Sequence, residues 1–351
     1  MSKKRKIVIV GAGFVGATMA YYLSMRNQDV AVIESNEAVA CEVTEKSFAW
    51  INPSGRVLQH FRHLYDATLA EYRELEKELP DLKVNWHGAL IWDVLANIER
   101  PHIKKINRQQ LMELEPNLKE YPEEALFAFD EAAVDPVWTT KLLLKKAAEN
   151  GATLLFNTKV SLIKQEGDKA VGVHTSNGFI EADVIVLAAG AAVPELCKPL
   201  GVEVPVAPSP CIIVRMKSPA KLIRTLISNS RFEARQLTDD ILIAAEDYID
   251  ESEENGPEAI AKRAFEALRQ DLSGGEHLQL ESIQVGMRPM PADGYPIVGF
   301  HDGIKGLYLS VMHSAITLAP VISRLAANEI VDQVQMKELE GCRLSRFAIN
   351  Q

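Results

Sequence analysis

The chain has 351 residues, 47% of them hydrophobic, and a formal net charge of -10 at neutral pH. That length suits about two domains around a substantial buried core. The acidic balance excludes nucleic acid and acidic membrane surfaces as general partners, because phosphate binding needs clustered Lys and Arg.

The basic run KKRK at 3–6 reads as solvated residues leading into a buried strand. With the following IVIV it imitates the start of a signal peptide, but GAGFVG interrupts the apolar segment and no small-residue cleavage site follows. The apolar stretches near 184–193 and 307–322 are short or broken by His313 and Ser314, so no integral membrane segment is expected. Cys41, Cys197, Cys211 and Cys342 lack CxxC spacing, which suits reduced thiols and a cytoplasmic location.

Residues 7–34 predict a strand, a glycine-rich turn, a helix and a second strand ending in Glu34. In GAGFVG, Gly11 suits the tight turn, Gly13 admits a pyrophosphate close to the backbone, and Gly16 lets the helix pack on the strand. The helix N-terminus then offers free N–H groups to phosphate. Glu34 stands where a carboxylate accepts ribose hydroxyls and disfavours a 2'-phosphate. This unit predicts dinucleotide binding and leaves NAD and FAD open.

Two later stretches return to the same domain. Residues 138–191 predict a helix (WTTKLLLKKAAENGA), the strand TLLFNTKV, a hairpin around Glu166 to Lys169, and an apolar strand entering a small-residue turn at Ala189 and Gly190. The last return is GMRPMPADGYPIVG, continuing through GLYLSVMHSAITLAP into a terminal helix. Between the returns lie short strands such as CIIVRM and ILIAAE and the helical pattern PEAIAKRAFEALRQDL. The expected division is 1–84, 138–204 and 286–351 in one domain, and 85–137 with 205–285 in a second. The acidic run EDYIDESEEN at 246–255 reads as a solvated loop. His60 and His63, one helical turn apart, lack a third ligand of metal-like spacing and read as a surface or interdomain helix; no metal is expected. Trp50, Trp86 and Trp92 read as core.

In this order and spacing the GxGxxG unit with Glu34, VTEKSFAWIN, FDEAAVDPVWTTKLLLKKAAENGA, ADVIVLAAGAAVPEL, GMRPMPADGYPIVG and HSAITLAP resemble the D-amino-acid oxidase, glycine oxidase and sarcosine oxidase family over nearly the whole chain. The resemblance implies an α/β fold, with a Rossmann-type FAD-binding domain assembled from three chain segments and a second α+β substrate domain dominated by an antiparallel sheet. It decides FAD over NAD, bound noncovalently. It implies Phe14, Val15, Glu34 and Ser35 along the adenosine and pyrophosphate, and Thr44, Ser47 and Ala49 along the phosphates and flavin edge. Val160 would give its backbone to adenine, and residues 311–317, including Ser314, Ala315, Ile316 and Thr317, would cross the pyrimidine end of the flavin.

Arg288 matches the arginine that holds the substrate carboxylate in glycine oxidase-like members, a role suited to a bidentate guanidinium. The competing reading is an internal ion pair with Asp293. His313 stands where those members carry a second arginine, and would contact substrate or only the flavin rim. ILIAAE lacks the lysine that sarcosine oxidases place there for reaction with oxygen. The implied activity is oxidation of the C–N bond of a small amino acid or secondary amine by hydride transfer to flavin N5, without a protein acid or base at that step. The imine then hydrolyses, and oxygen, a quinone or another carrier takes the electrons. Rival readings are an FAD enzyme acting on a hydroxy acid or polyol, and a noncatalytic FAD-binding subunit of a heteromeric dehydrogenase.

Overall fold

A computed structural model describes residues 4–55, 57–93 and 100–350, so Lys3 of the basic run lies outside the described residues. The strand Lys6–Val10 is buried from Ile7 onward. An uninterrupted apolar run of this kind needs cover on both faces, and it has it. Ile7 and Ile9 pack with the helices Phe14–Met25, Pro136–Glu149 and Ala315–Asp332. Val8 and Val10 pack instead with a three-stranded meander formed by Val160–Glu166, Lys169–Thr175 and Gly178–Glu181.

That strand sits inside a six-stranded sheet, in the spatial order Ile297–Phe300, Leu307–Val311, Val184–Leu187, Lys6–Val10, Asp29–Ile33 and Thr153–Leu155. Neighbours run parallel except the Ile297–Phe300 pair, which is antiparallel. The chain therefore enters this Rossmann-type sheet in three separate passes.

The second sheet has eight strands, in the order Gln279–Pro291, Val206–Lys217, Ile241–Asp247, Glu233–Thr238, Leu226–Ser228, Ala89–Ile91, Glu124–Ala128 and Ile103–Asn107. All pairs are antiparallel except Leu226–Ser228 with Ala89–Ile91. The helix Pro257–Asp271 packs its Ile260, Ala261 and Leu268 against Ile212, Val214, Leu242 and Ala244. Strand alternation then turns the intervening residues to the other face.

Two details differ from the expected division. The strand carrying Arg288 runs from Gln279 to Pro291 and pairs along its length with Val206–Lys217. The 285/286 boundary thus falls within one strand, and Arg288 belongs to the second sheet. A small sheet of Trp50–Ile51, Ala132–Val134 and Val84–Asn85 also stitches together residues from both sides of the 84/85 boundary.

The two parts are joined by a buried arginine. Arg235, on the strand Glu233–Thr238, is 2% exposed. Its Nε donates to the Phe48 carbonyl at 2.6 Å and its Nη2 to the Val134 carbonyl at 3.0 Å. Burial pushes its guanidinium down to about 10, still charged at neutral pH. Among the described residues no helix is long and apolar enough to cross a membrane, and the four cysteines are free thiols.

Arg235→Met keeps much of the volume but leaves two buried carbonyls without a donor. The expected cost is about 2 to 4 kcal/mol, read as a lowered urea midpoint at unchanged slope. A midpoint equal to that of the parent would show that the carbonyls find other donors.

Candidate active site

One cavity of about 1060 Å³ runs between the two sheets, and most of the sequence-predicted site residues line it. Its first wall is the glycine turn. Gly11 has φ 105°, and a Cβ there would stand 2.7 Å from the Ala188 carbonyl oxygen. Gly16 does not line the cavity; a Cβ on it would come within 1.9 Å of the Gly11 carbonyl oxygen, so its role is the close crossing of turn and helix. Gly13 begins the helix Phe14–Met25 with no side-chain cap and no acid in the first turn. Gly13, Phe14 and Val15 all face the cavity, so the positive end of the helix dipole is open to an anion.

Glu34 ends the second strand with its carboxylate already aimed. Oε2 accepts from Ala12 N at 2.9 Å, while Oε1 accepts from Asn36 N at 2.9 Å and from the Ser35 hydroxyl at 3.1 Å. Both Glu34 and Ser35 line the cavity, as does Val160 at the start of the meander. The following loop supplies Thr44, whose hydroxyl accepts from Phe14 N at 3.2 Å, and Ser47, whose hydroxyl accepts from Ala49 N at 3.1 Å. Ala49 is held at φ 55°, a left-handed conformation uncommon for a residue with a side chain. Ala189 and Gly190 line the cavity at the turn after Val184–Leu187.

A second helix start closes this side. Ser314 precedes Ala315–Asp332 without a side-chain cap, and Ser314, Ala315, Ile316 and Thr317 line the cavity. The Thr317 hydroxyl accepts from Asn52 N at 3.1 Å and donates to the Trp50 carbonyl at 3.3 Å, tying this turn to the loop. Trp50 Nε1, Ser310 Oγ and His313 Nδ1 are buried on the cavity wall with no protein partner. Two uncapped helix starts, a glycine cradle, an aimed carboxylate and these unpartnered polar atoms fit a large, flat, phosphate-bearing cofactor.

The opposite wall belongs to the eight-stranded sheet. Arg288 projects from Gln279–Pro291, its side chain 25% exposed. Its Nη2 donates to the Ser209 hydroxyl at 3.1 Å and to the Pro210 carbonyl at 3.0 Å, and Nη1 lies 3.7 Å from Asp247 Oδ1. Asp247 is 89% exposed, so that pair is weak and screened. Asp293, the partner of the structural reading, is instead bound by Arg346 at 2.8 Å. His313 faces the same space; burial first and the Arg288 charge second push its imidazole down to about 4.

Three acids that the sequence reading left out also line this space: Glu233, Glu246 and Asp247. The last two begin the run assigned to a solvated loop, yet lie within the strand Ile241–Asp247. Lys46 and Cys211 were missed too; a Cβ on Gly286 would stand 3.0 Å from Lys46 Cβ, which explains the glycine two residues before Arg288. Trp50 lines the cavity, whereas Trp86 donates to Glu76 at 2.7 Å and Trp92 packs on the second core. His63 Nε2 meets the Glu338 carbonyl at 2.8 Å, and His60 packs on Phe61 and Tyr295.

Known proteins resemble this chain in sequence and in fold. The chain is 28% identical to a glycine oxidase of Pseudomonas aeruginosa, over 92% of this chain and 94% of that one. The glycine oxidase of Geobacillus kaustophilus superposes with a TM-score of 0.85 at 20% identity, covering 98% of this chain and 99% of that one. The L-proline dehydrogenase of P. horikoshii superposes with a TM-score of 0.86 at 18% identity, over 100% of both chains. At those identities the two structures speak to fold alone. The family described as FAD dependent oxidoreductase matches residues 6–329, nearly the whole chain; this protein belongs to that family of enzymes, and its cofactor is FAD.

Proposed function

We propose that this protein oxidises the C–N bond of a small amino acid or secondary amine that carries a carboxylate. The observation that carries the proposal is Arg288: a guanidinium on the cavity wall, oriented by the Ser209 hydroxyl and the Pro210 carbonyl, with only a screened acid beside it. Nε also donates to the Ser209 carbonyl at 3.3 Å, so Nη1, with only the exposed Asp247 beside it, is the nitrogen left to take a substrate carboxylate. The names of the related proteins, glycine oxidase and D-amino acid dehydrogenase, support the same substrate class.

Bound FAD supplies a hydride acceptor at N5. The chain's own part is placement. Glu34 would accept the ribose hydroxyls, the Phe14–Met25 helix start would take the pyrophosphate, and Thr44, Ser47 and Ala49 would line the way from the phosphates to the ring system. The amide groups opening Ala315–Asp332 face the cavity uncapped and would stabilise negative charge on the bound ring system. Arg288 holds the carboxylate so that the substrate Cα–H faces the ring, and positioning provides much of the acceleration. His313 is neutral at pH 7 because burial opposes a second cation beside Arg288, so it offers substrate a hydrogen-bonding nitrogen without competing for the carboxylate.

Anaerobic bleaching of the flavin absorbance tests the reading. Amino acids or N-methyl amino acids are expected to bleach it. Bleaching by 2-hydroxy acids or polyols alone would transfer the site to alcohol oxidation, and no bleaching by any small molecule would leave a noncatalytic FAD-binding subunit. The acceptor, whether oxygen, a quinone or another carrier, follows from the reoxidation rates with each.

Arg288→Ala is expected to keep FAD while raising the barrier with carboxylate substrates by about 2 to 5 kcal/mol, read in kcat/KM. Loss of flavin instead would assign Arg288 to the framework.

His313 sets a pH dependence. Its imidazole binds a proton near 6.5 when unfolded but only near about 4 when folded. The unfolded chain therefore holds more protons across that window, and stability falls as pH drops through it. His313→Asn should show a smaller fall in urea midpoint between about pH 7 and about pH 5 than the parent. Equal falls would show that other groups account for the acid limb.

A further inference from the structure

The wall that carries Arg288 also carries acids that no part of the amine oxidation uses. Directly paired residues in a sheet share a face, as do residues two apart along one strand. Arg288 pairs with Ser209, Cys211 pairs with both Gly286 and Asp247, and Ala245 pairs with both Ile213 and Glu233. Arg288, Asp247 and Glu233 therefore stand on one face and line one cavity, with Cys211, Ile213 and Ala245 as the floor between them.

Glu233 is the far end of that row. Among the described residues its carboxylate has one hydrogen bond, accepted from the Ser228 hydroxyl at a long 3.4 Å. No lysine or arginine among the described residues forms a salt bridge with Glu233. Of the cations lining the cavity on this side, Arg231 is engaged by Asp271 at 2.5 Å, and Lys46, against Gly286 and Cys211, forms no salt bridge with Glu233 among the described residues. Burial, with Asp247 adding to it, pushes the Glu233 carboxyl up to about 7. Carboxylates taken from water without a partner are costly, and a cationic ligand relieves that cost.

We propose that Glu233, with Asp247 beside it, forms a subsite for a second, cationic group of the substrate, making the preferred substrate an α-amino acid whose side chain ends in an amine. This deepens the amino-acid reading above and rests on it. The spacing sets the length. Arg288 and Glu233 lie three strand spacings apart and four residues out of line, roughly 20 Å between Cα atoms. Arg288 leans across the sheet toward Asp247 while the Glu233 carboxylate stays beside Ser228, leaving on the order of 13 Å. That gap accommodates a carboxylate, a short methylene chain over the apolar floor and an ammonium, with hydrogen bonds at both ends. Glycine is too short to reach both.

The test is anaerobic flavin reduction of the holoenzyme by ornithine and by norleucine, in which a methyl replaces the terminal ammonium, each as both enantiomers. The expected half-saturating concentration is at least about tenfold lower for ornithine, and Glu233→Gln should narrow that ratio. Equal concentrations, or a preference for norleucine, would overturn the subsite while leaving amino-acid oxidation intact. An equal loss for both substrates in Glu233→Gln would overturn it as well, since that marks a framework residue. Should that variant fail to retain FAD, the parent's ornithine-to-norleucine ratio and the same ratio in Asp247→Asn decide. If no amino acid of either kind reduces the flavin, the wider reading fails and the subsite with it.

Discussion

Arg235 couples the parts that make the cavity. It grows from the eight-stranded sheet, yet its hydrogen bonds go to the carbonyls of Phe48 and Val134. Phe48 precedes Ala49, the left-handed residue of the loop that lines the cavity. Val134 precedes Asp135, whose side chain accepts from Trp138 N at 2.9 Å and so caps the helix Pro136–Glu149 on the six-stranded sheet. A lysine would have to reach both carbonyls from one nitrogen, whereas the guanidinium meets them from Nε and Nη2 at fixed separation. One side chain thereby sets the loop, the helix layer and the substrate wall in a common frame. The cation at its centre is tolerated because each contact it makes is charge-assisted.

Within that frame the two walls of the cavity divide the electrostatics. The cofactor side attracts anions through backbone: two uncapped helix starts provide partial positive charge that needs no desolvated lysine. Glu34 is aimed by the amides of Ala12 and Asn36, which fix it at the strand end where a ribose would lie. The opposite side works with side chains, and there charge is localised on Arg288 and on the acids across the sheet from it.

The sequence made the first wall legible because that wall is local. The turn Gly11 to Gly16, the helix behind it and Glu34 lie within one continuous unit whose spacing has a mechanical reason, and the structure gives Gly16 its distinct task of close packing rather than lining. The resemblance extended this to the loop and the Ala315–Asp332 helix start. The second wall was harder. Arg288 was seen as a residue, but its strand was assigned to the return into the six-stranded sheet, since GMRPMP carries no signal of which sheet it joins. Pairing with Val206–Lys217, some eighty residues away, decides that. Glu233 escaped for the same reason: it reads as a polar position in a strand, and only its alignment with Ala245 and Ile213 turns it into the cavity.

In the proposed reading Arg288 is the carboxylate anchor, and its surroundings suit that role. Arg288 is oriented by a hydroxyl and a carbonyl, neutral acceptors that fix its direction without cancelling its charge. Asp247 is too exposed to compete strongly with a carboxylate brought out of water. A second cation at His313 would strengthen the anchor, but burial beside Arg288 keeps that imidazole neutral. Arg288 therefore presents one directed positive charge, while the acids begin two strands away. A ligand that satisfies both ends must carry its own charges in the reverse order, and the sheet register sets how far apart they lie.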